Sequence, residues 1–173
     1  MPIILNGTTF NNGGTVTFNG STVKEIKFGT TTVWKAEQTV FSGISVTTDN
    51  TGSHSAYDSK TAYSSEYALD FSDFSTLTVT GTGRFAISSQ GSYGVENSIT
   101  LQYKIGSGSW TNLSTLSSGY DNGSVSVSIN SSIDISSITG SGYIRLQCWA
   151  RNSNIGETSS GRSYINDATA VAQ

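Results

Sequence analysis

The chain has 173 residues, a net charge of −3 and charged side chains at only 12% of positions, about half the usual share. Nine Lys and Arg without a cluster among them exclude a phosphate-tracking surface, so neither nucleic acid nor an anionic membrane is an expected partner. The single Cys and single His exclude an intrachain disulfide, a histidine triad and a multi-histidine metal site, and no cofactor is expected.

Ser, Thr, Asn and Gly fill 85 of the 173 positions. Such a composition gives a disordered stalk unless large side chains recur within it. They do: three Trp, eight Tyr and seven Phe are spread along the chain among β-branched residues, as a packed sheet needs. No apolar run approaches the ~20 residues of a spanning helix. Met1-Pro2-Ile3-Ile4-Leu5 lacks the basic start and long apolar stretch of a secretory signal. Exit from the cell inside an assembled particle is the expectation.

Residues 1–36 read as a small β module. Ile3-Ile4-Leu5, Phe10 and Val16-Thr17-Phe18 are separated by Asn6-Gly7, Asn11-Asn12-Gly13-Gly14 and Asn19-Gly20. Asn-Gly pairs supply the positive-φ positions of tight hairpins. Val23-Lys24-Glu25-Ile26-Lys27-Phe28 then reads as a strand, Gly29-Thr30-Thr31 as a turn and Thr32-Val33-Trp34 as the return. Three or four short strands are expected here. A unit of ~35 residues has very little core. It is expected to pack through Val23, Ile26, Phe28, Val33 and Trp34 on something else: the main domain, another copy or a neighbouring protein.

Residues 38–173 carry the larger pattern. Val40, Ile44 and Val46 open a strand that ends within Thr48–Gly52. Residues 53–74 have poor periodicity and read as a long loop with a short helix around Ser65–Leu69. Thr76–Thr80 alternates, and Gly81-Thr82-Gly83 is expected to turn it into Arg84–Ser88. Ser98–Ile105 is the strongest strand, with Ile99, Leu101, Tyr103 and Ile105 on one face. Gly106-Ser107-Gly108 turns it into Ser109–Leu113. Gly123–Ile129 alternates, Ile133, Ile135 and Ile138 lie in a connector, and Tyr143–Ala150 is a full strand. Ser163-Tyr164-Ile165 is the last, continuing towards Ala168–Val171. Seven to nine strands with turn signals about every ten residues predict an all-β fold, an antiparallel β-sandwich of jelly-roll-like or immunoglobulin-like size.

No catalytic residues are expected. His54 lies among serines in a loop and reads as exposed; Cys148 reads as a small buried hydrophobe inside a strand. Asp49, Asp58, Glu66, Asp70 and Asp73 crowd one segment. They read first as loop-solvating and turn-capping groups, then as oxygen ligands for calcium, and last as a glycosidase pair. Whether a metal is bound stays open. Tyr57, Tyr63, Tyr93 and Tyr120 fall outside clear alternation and are the candidate glycan-binding residues, since sugar faces stack on exposed rings. Tyr67, Tyr103, Trp110, Tyr143 and Trp149 are expected in the core or half-buried on a sheet.

Residues 19–35 carry a resemblance. Val23, Lys24 and Ile26, then Gly29, then Val33 and Trp34 resemble a short module of bacteriophage tail and other minor structural proteins, in which a Val-Lys-x-Ile strand leads through a glycine turn to a Val-Trp pair. The usual Asn-Gly turn is Phe28-Gly29 here. The resemblance implies a virion component on a tail, fibre or head surface. It also implies assembly with other virion proteins as a homo-oligomer, with host attachment in place of catalysis. A host surface glycan is the expected ligand if the sandwich binds one.

Overall fold

The computed structural model describes residues 3–5, 8–10, 16–18, 21–23, 25–53, 58–89, 95–120, 123–152 and 158–173. Among the described residues, the first 35 positions hold three separate antiparallel ladders of two strands each: β1 (Ile3–Leu5) with β2 (Thr8–Phe10), β3 (Val16–Phe18) with β4 (Ser21–Val23), and β5 (Glu25–Phe28) with β6 (Thr31–Lys35). These are six strands, where the sequence suggested three or four. The first four have only three residues each. The third ladder sets Ile26 opposite Trp34 and Glu25 opposite Lys35.

The sandwich begins at β7 (Gln38–Ser53). It continues through β8 (Asp58–Tyr63), β9 (Tyr67–Asp70), a 3-10 turn (Phe71–Asp73), β10 (Thr76–Ser89), β11 (Val95–Ile105) and β12 (Thr111–Tyr120). It ends with β13 (Gly123–Asp134), β14 (Ser141–Asn152) and β15 (Thr158–Ala172). One sheet has the order β13-β10-β15-β7; the other has β12-β11-β14-β8, with β9 pairing β14 beyond the end of β8. All of these pairings are antiparallel. Strands β8 and β9 share one position at the sheet edge, so each sheet has four places. The chain changes sheet at every connection between places except the β11–β12 hairpin. This is the eight-place, two-sheet weave of a jelly roll, which decides between the two sandwich forms expected.

The core lies between the sheets. Alternation puts Ile99 and Leu101 of β11 and Ile144, Leu146 and Cys148 of β14 on the inner face, fully buried against Leu77, Val79 and Ile165 of the opposing sheet. Burying each large aliphatic side chain contributes about 1.5–3 kcal/mol. Inter-sheet hydrogen bonds add registry: the Ser163 hydroxyl donates to the Ser98 carbonyl at 3.0 Å.

Two expectations are corrected. The stretch 81–83 is not a turn, because β10 runs straight through it. A bulge between Thr80 and Thr82 takes up the irregularity. Gly81 is needed there because a side chain would press on the Ala168 Cα and the Asn166 carbonyl oxygen, both 3.2 Å from where its Cβ would stand. The long loop and the short helix expected within residues 53–74 are instead strands β8 and β9 followed by the 3-10 turn, with Leu69 and Phe71 buried. Ladder pairing with β14 and burial of Leu69 in the core override the weak local helical preference.

Candidate functional site

The same alternation that buries Ile144, Leu146 and Cys148 turns Tyr143, Arg145, Gln147 and Trp149 outward. Ladder register places Lys104 opposite Tyr143 and Gln102 opposite Arg145 on β11, and Tyr63 opposite Gln147 on β8. The turn at Gly106, whose φ of +54° suits a residue without a Cβ, brings Trp110 back over this face.

Arg145 sits at the centre. Its guanidinium carbon lies 3.8 Å from the Tyr63 ring centroid and 4.0 Å from that of Trp110. Its Nε donates to Gln102 Oε1 at 2.9 Å. Gln102, only 8% exposed, donates in turn to Asn112 Oδ1 at 2.9 Å and Gln147 Oε1 at 3.0 Å. The guanidinium is therefore held by two rings and an amide chain, and no carboxylate pairs with it among the described residues. Lys104 lies beside it, 4.7 Å from the Trp110 centroid and 5.0 Å from that of Tyr143, and is neutralised by Glu66 at 2.7 Å. Each such cation–ring approach is worth about 0.5–2 kcal/mol, so the cluster fixes the orientation of its own side chains. Tyr63 stays 48% and Tyr143 39% exposed.

Of the candidate glycan-binding tyrosines, Tyr63 joins this face. Tyr57 and Tyr93 lie outside the described residues. Tyr120 is described by its backbone only, opposite Glu96 at the end of β12. In the first 36 residues, Val23 and Ile26 are half-buried, while the side chains of Phe28, Val33 and Trp34 lie outside the described set. A cleft of about 520 Å³ lies between β5 and the 3-10 turn, lined by Glu25, Lys27 and Glu37 on one side and Ser72, Asp73 and Phe74 on the other.

Asp49, Glu66 and Asp70 are engaged separately, while the side chain of Asp58 lies outside the described residues. Asp49 pairs with Arg162 at 2.7 Å, and Glu66 with Lys104. Asp70 accepts from the Ser72 amide at 3.1 Å and the Ser141 hydroxyl at 3.0 Å. Among the described residues no three His, Cys, Asp or Glu gather as a metal site would require. His54 lies outside the described residues. Cys148 is fully buried, and burial pushes its thiol up to about 12.

Sequence reasoning missed Arg145, Gln102 and Lys104. A signal was available. Outward strand positions in this chain are mostly Ser or Thr, and β14 breaks that habit with Tyr143, Arg145, Gln147, Trp149 and Arg151.

No family model and no curated protein matches the chain. Solved structures of infectious bursal disease virus resemble it in part. The virus of the Gt strain aligns with a TM-score of 0.44 at 13% identity over 99% of this chain and 45% of that one. The Gx strain gives 0.41 at 14% over 87% and 40%, and the VP2 subviral particle gives 0.38 at 16% over 99% and 40%. The chain thus spans less than half the length of these proteins. The assignment of its fold rests on the strand order itself.

Proposed function

We propose that this chain is a structural protein of a virus particle, most fittingly a phage, which attaches through residues 1–36 and displays the jelly roll of residues 38–173 on a tail, fibre or head surface. The observation that carries the reading is the combination of a full jelly-roll weave with three two-stranded ladders that, among the described residues, join neither of its sheets. Isolated two-stranded ladders are marginal in water and need a partner surface. The Val23–Trp34 module supplies the apolar residues for one: Val23, Ile26, Phe28, Val33 and Trp34. The displayed domain works by packing and assembly with other virion proteins and with its own copies, not by catalysis. Electron microscopy of purified particles labelled with an antibody to this chain tests it. Label at a fixed position on the particle is expected, and Trp34→Ala should deplete it. Particles that carry no label overturn the reading.

A second reading, compatible with the first, is that the displayed domain engages a host glycan through Tyr57, Tyr63, Tyr93 and Tyr120. It is favoured by the exposure of Tyr63 on a face that also carries Trp110 and Tyr143.

A further inference from the structure

We propose that the outer face of the β12-β11-β14-β8 sheet is a binding site for a carboxylate-bearing saccharide, with the terminal nitrogens of Arg145 receiving the carboxylate. The proposal rests on the glycan reading above and adds the site and the charge of the ligand.

Three observations converge. The chain spends charged residues sparingly, at 12% of positions, yet sets Lys104, Arg145 and Arg151 on this one face. Lys104 and Arg151 are matched by Glu66 and Glu96. Arg145 is not, and its Nε is spent on Gln102, so the planar pair of terminal nitrogens is the part left to act. A guanidinium fork suits a carboxylate in bidentate fashion.

The fork is also fixed in advance. Tyr63 and Trp110 flank it and Gln102 anchors it, so little side-chain freedom is lost on binding.

The surroundings then match a sugar better than a peptide carboxylate. Asn112 and Gln147 each spend their carbonyl oxygen on Gln102, which leaves two amide NH2 groups as donors to hydroxyl oxygens. The exposed rings of Tyr63 and Tyr143 lie to either side as stacking surfaces.

The test uses the full chain and four probes: a galacturonic acid tetramer, a sialylated trisaccharide, their carboxyl-reduced forms as one control, and a tetraglutamate peptide. Binding is read by calorimetry and by Trp fluorescence. At least one acidic sugar should bind, and its carboxyl-reduced form at least ~10-fold more weakly, as the loss of a charge-assisted hydrogen bond implies. Arg145→Gln keeps a polar side chain beside Gln102 and should weaken the acidic sugar by a similar factor, with a melting temperature lowered by the loss of two ring contacts but still well above that of the assay. Arg145→Lys keeps the charge, loses the fork, and should fall between. Equal binding of acidic and reduced sugars overturns the role of Arg145 while leaving the glycan reading intact. Absence of any sugar binding overturns both. Tetraglutamate binding as tight as the sugar, or self-association abolished by Arg145→Gln, means that the face receives a protein carboxylate and overturns the saccharide assignment.

Discussion

The Thr48 hydroxyl on β7 donates across the sandwich to the Cys148 carbonyl on β14 at 2.7 Å, and the Cys148 thiol reaches back to the Val46 carbonyl at 3.5 Å. Two strands in different sheets, a hundred residues apart in sequence, are thereby held in one register. Thr48→Val keeps the volume and removes the donor. It should cost about 1–2 kcal/mol, read as a lower melting temperature, while Thr48→Ser should retain most of it. An unchanged Thr48→Val would show that the bond contributes nothing net.

Cys148 gives the fold an alkaline weakness. Its thiol is raised from 9.0 to about 12, chiefly because burial disfavours the thiolate. The unfolded chain ionises near pH 9 and the folded one does not. The contribution is therefore complete below pH 9.0 and is lost as pH rises towards about 12, with a slope of up to about 1.4 kcal/mol per pH unit. Cys148→Ala should flatten the stability profile in that window. Iodoacetamide at pH 8 should leave the folded protein unlabelled and modify it in denaturant.

Gly142 packs where β14 meets β11, and an added Cβ there would collide with the backbone carbonyl of Lys104. A carbonyl in a ladder cannot step aside as a side-chain tip can. Gly142→Ala should destabilise by about 3 kcal/mol or more and disturb the neighbouring Tyr143–Lys104 approach. Normal melting with unchanged Trp110 fluorescence would contradict this packing.

Asn97 is 2% exposed, and neither its side-chain oxygen nor its nitrogen has a hydrogen-bond partner. A buried amide in that condition costs about 1–3 kcal/mol. Asn97→Leu, similar in shape, should raise the melting temperature. A fall would mean that the amide is satisfied by an internal water and contributes to the core.

The sandwich was legible in the sequence because its inner face is written in Ile, Leu and Val at every second position, most plainly at Ile99, Leu101, Ile144 and Leu146. The edge strand β9 was not. Tyr67, Ala68, Leu69 and Asp70 are too few for a period, and only pairing with β14 reveals them as a strand. The Gly81–Gly83 stretch misled because glycine serves both turns and close backbone approach, and the sequence does not say which. The candidate face was half legible. Tyr63 was read as exposed, but the centre of the cluster is an arginine whose neighbours come from four separate segments. Its meaning depends on the ladder register that joins Gln102 to Arg145 and Gln147 to Tyr63.

Strand β7 has sixteen residues, and among the described residues its ladder partner is β15 alone. Asp49 meets Arg162 across 113 positions of chain. During synthesis, therefore, β7 leaves the ribosome long before the strand that will cover its hydrogen-bonding edge exists. An early, uncovered strand of that length invites pairing between nascent chains on neighbouring ribosomes. The hydroxyl and amide side chains that dominate Gln38–Ser53, interrupted by Gly43, keep that waiting strand wetted and poorly suited to self-pairing. The sparing use of large apolar residues in β7 thus protects the unfinished molecule as much as it solubilises the finished one.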